Sequence, residues 1–358
     1  MIYIICFFLS SFIIYITQNK KRGSIQGCII AVFILSILAG LRAHHIGTDT
    51  IKYPFEAFEA ACATESFFDL FIWTQINLSM KEIGYVIFVY ISSLITNDFN
   101  VFLFLTALVI NSGICYFLYK ESKRYKISMA IAWLSYCFMF YNQTLNIAKQ
   151  SIAIAICLIA YVCYKNNRHK KYILLQSIAL TFHFTSIISF FYIFEEKIKS
   201  SLIRWTFVGI AIAGSLGFIA IMQHLFSVIP YLNRFSSYLA NNDGDLALFE
   251  IAYHLMIFMC FYVLFQLNLI RLSKILIKRI LYIFIVEISL FSMNALSAQA
   301  GRTSLFILPF YFIFIPLLIK HTKYKKLLTP LYILTLLLFW IITIIIQGAT
   351  ETYPYETI

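Results

Sequence analysis

The chain alternates long apolar stretches with short polar ones. The apolar stretches fall at 2–17, 25–41, 83–96, 100–119, 127–141, 146–164, 172–194, 203–223, 250–270, 280–297, 303–319 and 328–347. Most are close to the ~20 apolar residues that an α-helix needs to cross a bilayer. The period-2 alternation of an outer-membrane barrel is absent, so helices must satisfy the backbone polar groups. The pattern therefore predicts an all-α polytopic transmembrane bundle of about 10–12 apolar helices, some half-length or re-entrant. It leaves no room for a separate soluble domain and predicts one integral membrane domain over 1–358. The first stretch, with no basic leader before it and no small-residue cleavage site after it, reads as a first span and not as a removed signal peptide.

Between the apolar stretches lie basic clusters: Lys20 to Arg22, Lys120 to Lys126, Lys165 to Lys171, Arg271 to Arg279 and Lys320 to Lys326. By the positive-inside rule these face the cytoplasm, which puts 42–81, 142–147, 224–249, 298–302 and the tail from Gly348 outside. The segments 42–81 and 224–249 are then the main extracytoplasmic loops. Parity fails at two places. Only one crossing fits in 83–119, so 83–96 is expected to be half-length or to lie on the surface. The stretch 172–194 has basic residues at both ends, and two readings stand: a bent or hairpin element turning near Thr181 to Ser186, or a plain span.

Composition fixes the class. Hydrophobic residues make up 61% of the chain and charged ones 12%, and mean hydropathy is +0.84, which no soluble globular domain approaches. The net charge of +12 is gathered in the inter-span clusters, so it reads as topology and membrane-lipid contact, with no nucleic-acid partner. Seven of the eight cysteines lie inside predicted spans, and Cys62 alone lies in an outer loop, so no disulfide framework or metal spacing is visible.

Several polar residues are unexplained by topology. Arg42 stands at the lipid boundary, where an ion is costly unless it is paired or faces water. Asn146, Lys149 and Gln150 are spaced i, i+3 and i+4, which puts them on one helix face. That face could hold a phosphate, or it could consist of a snorkelling lysine and two amides that join helices. Tyr231, Arg234 and Tyr238 form a similar stripe, suited either to a sugar phosphate or to an interfacial aromatic belt. His183 lies among apolar residues, as buried structural histidines do. With Arg302, the cations Arg42, Lys149 and Arg234 all fall on the outer side, against the general charge bias. An anionic lipid pyrophosphate would account for them.

These anchors resemble the EpsG-like branch of the Wzy polysaccharide polymerases. The resemblance rests on Arg42 with Gly47-Thr48-Asp49-Thr50 and Tyr53, on Glu82 with Gly84-Tyr85, and on the stretch from Asn146 to Ala153. It continues through His183 with Thr185-Ser186, Arg234 to Tyr238, Arg302 and Tyr353-Pro354-Tyr355. Where that pattern has Arg-Gln, this chain has Lys149-Gln150, which keeps the cation and loses the bidentate fork.

The resemblance implies a multi-pass glycosyltransferase of the plasma membrane, working on its periplasmic or outer face. Its substrates would be oligosaccharide repeat units on undecaprenyl pyrophosphate, joined into O-antigen, capsule or exopolysaccharide. Arg42, Lys149, Arg234 and Arg302 would then neutralise the leaving pyrophosphate, and His183 or Asp49, with Glu82 as a third candidate, would orient or deprotonate the acceptor hydroxyl. Glu82, Asn146, Lys149, Gln150, Tyr231, Arg234 and Tyr238 are the expected substrate contacts. No Asp-x-Asp motif is present, so transfer without metal or other cofactor is expected. A flippase and a chain-length regulator of the same pathway are the implied partners. An O-antigen ligase-like enzyme, a lipid-linked oligosaccharide flippase and a membrane acyltransferase are the alternatives.

Overall fold

A computed structural model describes residues 1–19, 23–193, 206, 209, 244–295 and 301–357. The described residues are helical, as the apolar pattern predicts, and two compact units divide them: Met1–Ile187 with Tyr332–Ile358, and Ile188–Leu331. In chain order the principal helices are α1 (Ile2–Thr17), α2 (Gly23–Gly40), α3 (Glu56–Ala63), α4 (Phe67–Asn77), α5 (Ile83–Ser93), α6 (Phe99–Tyr125) and α7 (Met129–Tyr136). They continue with α8 (Asn142–Asn146), α9 (Ala148–Lys165), α10 (His169–Phe182), α11 (Gly244–Gln266), α12 (Lys274–Phe291), α13 (Tyr311–Lys320) and α14 (Lys325–Trp340). Among the described residues, four segments are long and apolar enough to cross a membrane: Phe99–Tyr125, Ala148–Lys165, Leu248–Gln266 and Lys325–Ile346. Shorter apolar helices, including Ile2–Thr17, accompany them.

The first unit has two chemically different ends. Helix α6 spans them: Asp98 caps its start by accepting the Asn100 N–H, and Lys126 stops it in a left-handed conformation. Its 27 residues rise about 40 Å. At its far end Arg124 donates to Asn166 (3.5 Å) and Ser128 to Gln18 (3.3 Å). Those contacts gather the basic segments 120–126 and 165–171 at one end. At the near end Asn100 donates to the carbonyls of Gly40 and Arg42. The segregation of charge that the basic clusters predict is therefore built into the unit. Between the ends, buried side chains join the helices: Asn111 donates to Ser36 (3.1 Å), Trp133 to Ser10 (3.0 Å), and Ser135 pairs with Tyr332 (2.9 Å). Polar contacts of this kind hold helices together where lipid offers no hydrophobic driving force.

Both parity failures have structural counterparts. Helix α5 has 11 residues, about 16 Å of rise, or half a bilayer. It packs on α3, α4 and α10. Helix α10 ends at Phe182, His183 is extended, and the chain resumes as a 3-10 turn over Phe184–Phe190, so 172–194 is bent where the bent reading placed the turn. The segment 42–81, expected as an extracytoplasmic loop, is largely helical through α3, α4 and the turns Thr48–Thr50 and Ile51–Phe55. Ser66 caps α4 by accepting the Asp69 N–H.

In the second unit α11 and α12 form a hairpin tied by His254 and Glu287, 2.9 Å apart and both buried. The turns at 269–271 and 321–323 are joined by Arg271 N–H to His321 O (2.8 Å) and Lys323 N–H to Leu269 O (3.2 Å). That gathers the basic segments 271–279 and 320–326 at one end of this unit. Most of the predicted stretch 203–223 lies outside the described residues.

Candidate functional site

The near end of the first unit collects most of the sequence-predicted polar residues that the structure describes there. After α2 the chain turns at Gly47, whose φ of 90° favours glycine. A Cβ there would also stand 2.9 Å from Thr50 Oγ1. This turn aims Arg42 inward. The side chain is 4% exposed, and its Nη2 donates to Leu145 O (3.0 Å) and to Thr50 Oγ1 (3.4 Å). Its Nε is buried and has no hydrogen-bond partner among the described residues. Arg42 also lines a small crevice with Thr50, Thr106, Thr144, Leu145 and Ala148. Burial lowers the pKa of Arg42, while the phenols of Tyr3, Tyr141 and Tyr355 raise it. A guanidinium stays charged against such a shift.

The C-terminal tail completes this corner. Arg42 and Thr357 form an antiparallel bridge, Ala43 N–H donates to Glu356 O (2.8 Å), and Gly47 N–H donates to Glu351 O (3.0 Å). Tyr355 donates to Leu38 O (2.8 Å) and Tyr3 to Thr352 O (3.0 Å). Burial pushes the Tyr355 phenol up to about 12, against the lowering effect of Arg42. Asn142 holds the tail to the bundle, donating to Thr352 (2.8 Å) while accepting from Trp340 Nε1 (2.7 Å).

The second cation is arranged differently. The spacing of Asn146, Lys149 and Gln150 predicts one helical face, and the structure corrects this. Ile147 leaves the helical region (φ −98°, ψ 59°), so Asn146 closes α8 while Lys149 and Gln150 lie in the first turn of α9. Asn146 Oδ1 instead accepts from Asp49 N–H (2.7 Å) and Thr48 Oγ1 (3.1 Å), which ties the Arg42 turn to the start of α9. Lys149 is half-buried. Its ammonium lies 3.3 Å from Glu82 Oε2 and 4.3 Å from the centre of the Tyr53 ring. Tyr53 meets Tyr85 edge to face at 5.9 Å. Gln150 is buried beside Lys149.

Two residues after Glu82, Gly84 packs on Thr181 and Phe182, where a Cβ would stand 2.3 Å from Thr181 Oγ1. That contact brings the start of α5 to the end of α10, and His183 follows directly, its Nδ1 2.6 Å from Thr185 Oγ1. Residues 26–357 match the EpsG family model.

The chain belongs to the EpsG family. It is thereby a membrane protein of exopolysaccharide biosynthesis. No curated protein matches it, and no solved structure does. Within this EpsG-family chain the structure brings Arg42, Asp49, Glu82, Asn146, Lys149 and Gln150 to one end of the first unit, with His183 beside Gly84. Arg302 belongs to the second unit, where it begins a 3-10 turn at Arg302–Phe306 and is half-buried. Tyr231, Arg234 and Tyr238 lie outside the described residues.

Sequence reasoning missed the Asn100 and Asn142 ties and the His254–Glu287 pair. The pair had a signal: a lone carboxylate and a lone imidazole, each inside an apolar run, mark themselves by their cost in lipid. The hold of the tail on Arg42 had none, because one sequence does not show which segments meet across more than 300 residues.

Proposed function

We propose that the protein is a Wzy-type polymerase. It joins oligosaccharide repeat units carried on undecaprenyl pyrophosphate, at the outer face of the plasma membrane. The supporting observation is the pairing of two cations, Arg42 and Lys149, at the end of the first unit remote from its basic clusters. That end is the outer one by the positive-inside rule. A cation held away from the cytoplasmic clusters needs an anion to serve, and the leaving group of this reaction is one. Guanidinium and ammonium neutralise the charge that develops on the pyrophosphate as the glycosidic bond forms.

In this reading the α9 start and Lys149 take the phosphates. Arg42 sets the turn that carries Asp49 and reaches the same corner through its Nε. The family resemblance gives Arg302 and Arg234 as further cations for the reaction, and Tyr231 and Tyr238 as rings for the sugars. His183, Asp49 and Glu82 are the groups that can accept the acceptor proton. A flippase of the same pathway delivers the repeat units, and a chain-length regulator sets when transfer stops.

Deleting the gene and separating surface polysaccharide on a gel tests this. The expected result is single repeat units at the surface, long chains restored by wild type, and none restored by Arg42→Ala or Arg302→Ala. Long chains persisting in the deletion, or repeat units accumulating inside the cell, would replace the polymerase with a modifying enzyme or a flippase.

A further inference from the structure

Lys149 occupies the second position of the 18-residue helix α9. The first N–H groups of any helix lack acceptors within it, and its dipole makes that end positive. An ammonium there adds charge of the same sign, so the locus requires an anion. In this structure the anion is internal. Glu82 Oε2 lies 3.3 Å from Lys149 Nζ and also accepts the Lys81 N–H at 3.2 Å. The contact is looser than the 2.7–2.9 Å of a tight charge-assisted bond. The side chains are 18% and 26% exposed, and Glu82 is the cap residue of α5, its carbonyl accepting the Val86 N–H at 3.2 Å. The Tyr53 ring holds the ammonium from another side, 4.3 Å away, independently of the carboxylate. A second observation points to the same place. The Nε of Arg42, a side chain 96% buried, has no hydrogen-bond partner among the described residues, and Arg42 lines its crevice together with Ala148, the first residue of α9. A buried donor left unbonded is costly and marks where an acceptor belongs.

We propose that Glu82 is the resting counter-ion of Lys149, that an incoming diphosphate displaces it, and that the freed carboxylate then takes the proton of the acceptor hydroxyl. This rests on the polymerase reading. A diphosphate carries more charge and more acceptor oxygens than one carboxylate, so it wins the ammonium and meets the N–H groups at the α9 start. Tyr53 keeps Lys149 in place during the exchange. The acceptor hydroxyl oxygen then bonds to the anomeric carbon of the donor sugar. The bond from that carbon to the diphosphate oxygen breaks, its electron pair leaves with the diphosphate, and the hydroxyl proton passes to Glu82. Because the base is released only when the diphosphate is seated, an empty site does not hold a free base beside its cation.

The test measures binding of inorganic pyrophosphate to the full chain in lipid vesicles, together with polymer made in the deletion strain. Glu82→Gln should bind pyrophosphate about two- to fivefold tighter than wild type, the range a partly exposed ion pair releases. It should also make about 100-fold less polymer. Lys149→Ala should bind about tenfold more weakly. Unchanged or weaker binding by Glu82→Gln, or a wild-type rate of polymer formation, overturns the proposal. Should Glu82→Gln fail to fold, Glu82→Asp shortens the reach to Lys149 and must still tighten binding; equal affinity overturns the exchange. If Glu82→Gln binds more tightly but gene deletion leaves polymer intact, the polymerase reading fails. The proton-transfer step falls with it, while the ion exchange stands.

Discussion

Arg42 and Lys149 stand at the same end of the first unit, and they are held in opposite ways. Arg42 is buried, its donors go to a backbone carbonyl and a threonine, and the tail bridges its backbone to Thr357. Lys149 is half-buried, and its partners are one carboxylate and one ring face. Removing a buried hydrogen-bonded cation leaves its acceptors unsatisfied, whereas removing one partner of a partly exposed ion pair costs less. Arg42 thus builds the corner, and Lys149 is the cation free to change partner. The two should separate when stability and polymer formation are measured on the same variants.

The largest effect on stability is expected at Arg42. Arg42→Ala removes charged hydrogen bonds to Leu145 and Thr50 and should cost about 3 kcal/mol, read as a lower melting temperature in detergent, with polymer lost as well. Asn142→Ala should come next, at about 2 kcal/mol, because it leaves the Trp340 N–H buried without an acceptor and frees Thr352 of the tail. Unchanged melting in Asn142→Ala would show that the tail does not brace the corner. Gly84→Ala forces a methyl group onto Thr181 and Phe182 and should cost about 1–2 kcal/mol, seen in the same melt. Lys149→Ala should shift stability by less than about 1 kcal/mol and still abolish long chains. A large loss of stability there would erase the distinction between the two cations.

Much of this arrangement is legible in the sequence where the physics is local. The bounds of α1 follow from an apolar run closed by Gln18 and the basic residues after it. Charge parity leaves a bend near His183 as one of two readings, since basic residues flank both ends of its stretch, and the structure decides for it. Arg42 stands out because a cation at the lipid boundary has few inexpensive settings. Local rules fail where a tertiary contact decides the backbone. Ile147 breaks the helix between Asn146 and Lys149 without a glycine or proline to announce it, because Asn146 is taken up by Thr48 and Asp49. The helices within 42–81 are hidden by mixed polarity, and Pro54 argues against one of them, although it lies in the turn Ile51–Phe55.

The chain also carries π-helical turns at Ile51–Phe55, Cys137–Tyr141 and Ile341–Ile346. Each precedes a segment of the near end of the first unit: α3, the Asn142 helix, and the tail. Such turns add a residue to a helix and rotate the chain beyond them, and they concentrate at functional sites. They supply a backbone reason for the convergence of segments distant in the chain.

The most direct test of an anion-handling Lys149 is the length distribution of surface polysaccharide from the deletion strain carrying Lys149→Ala, Lys149→Arg or wild type, compared at equal membrane abundance. Single repeat units from Lys149→Ala, with long chains from Lys149→Arg and wild type, are the predicted result. Long chains from Lys149→Ala would contradict it.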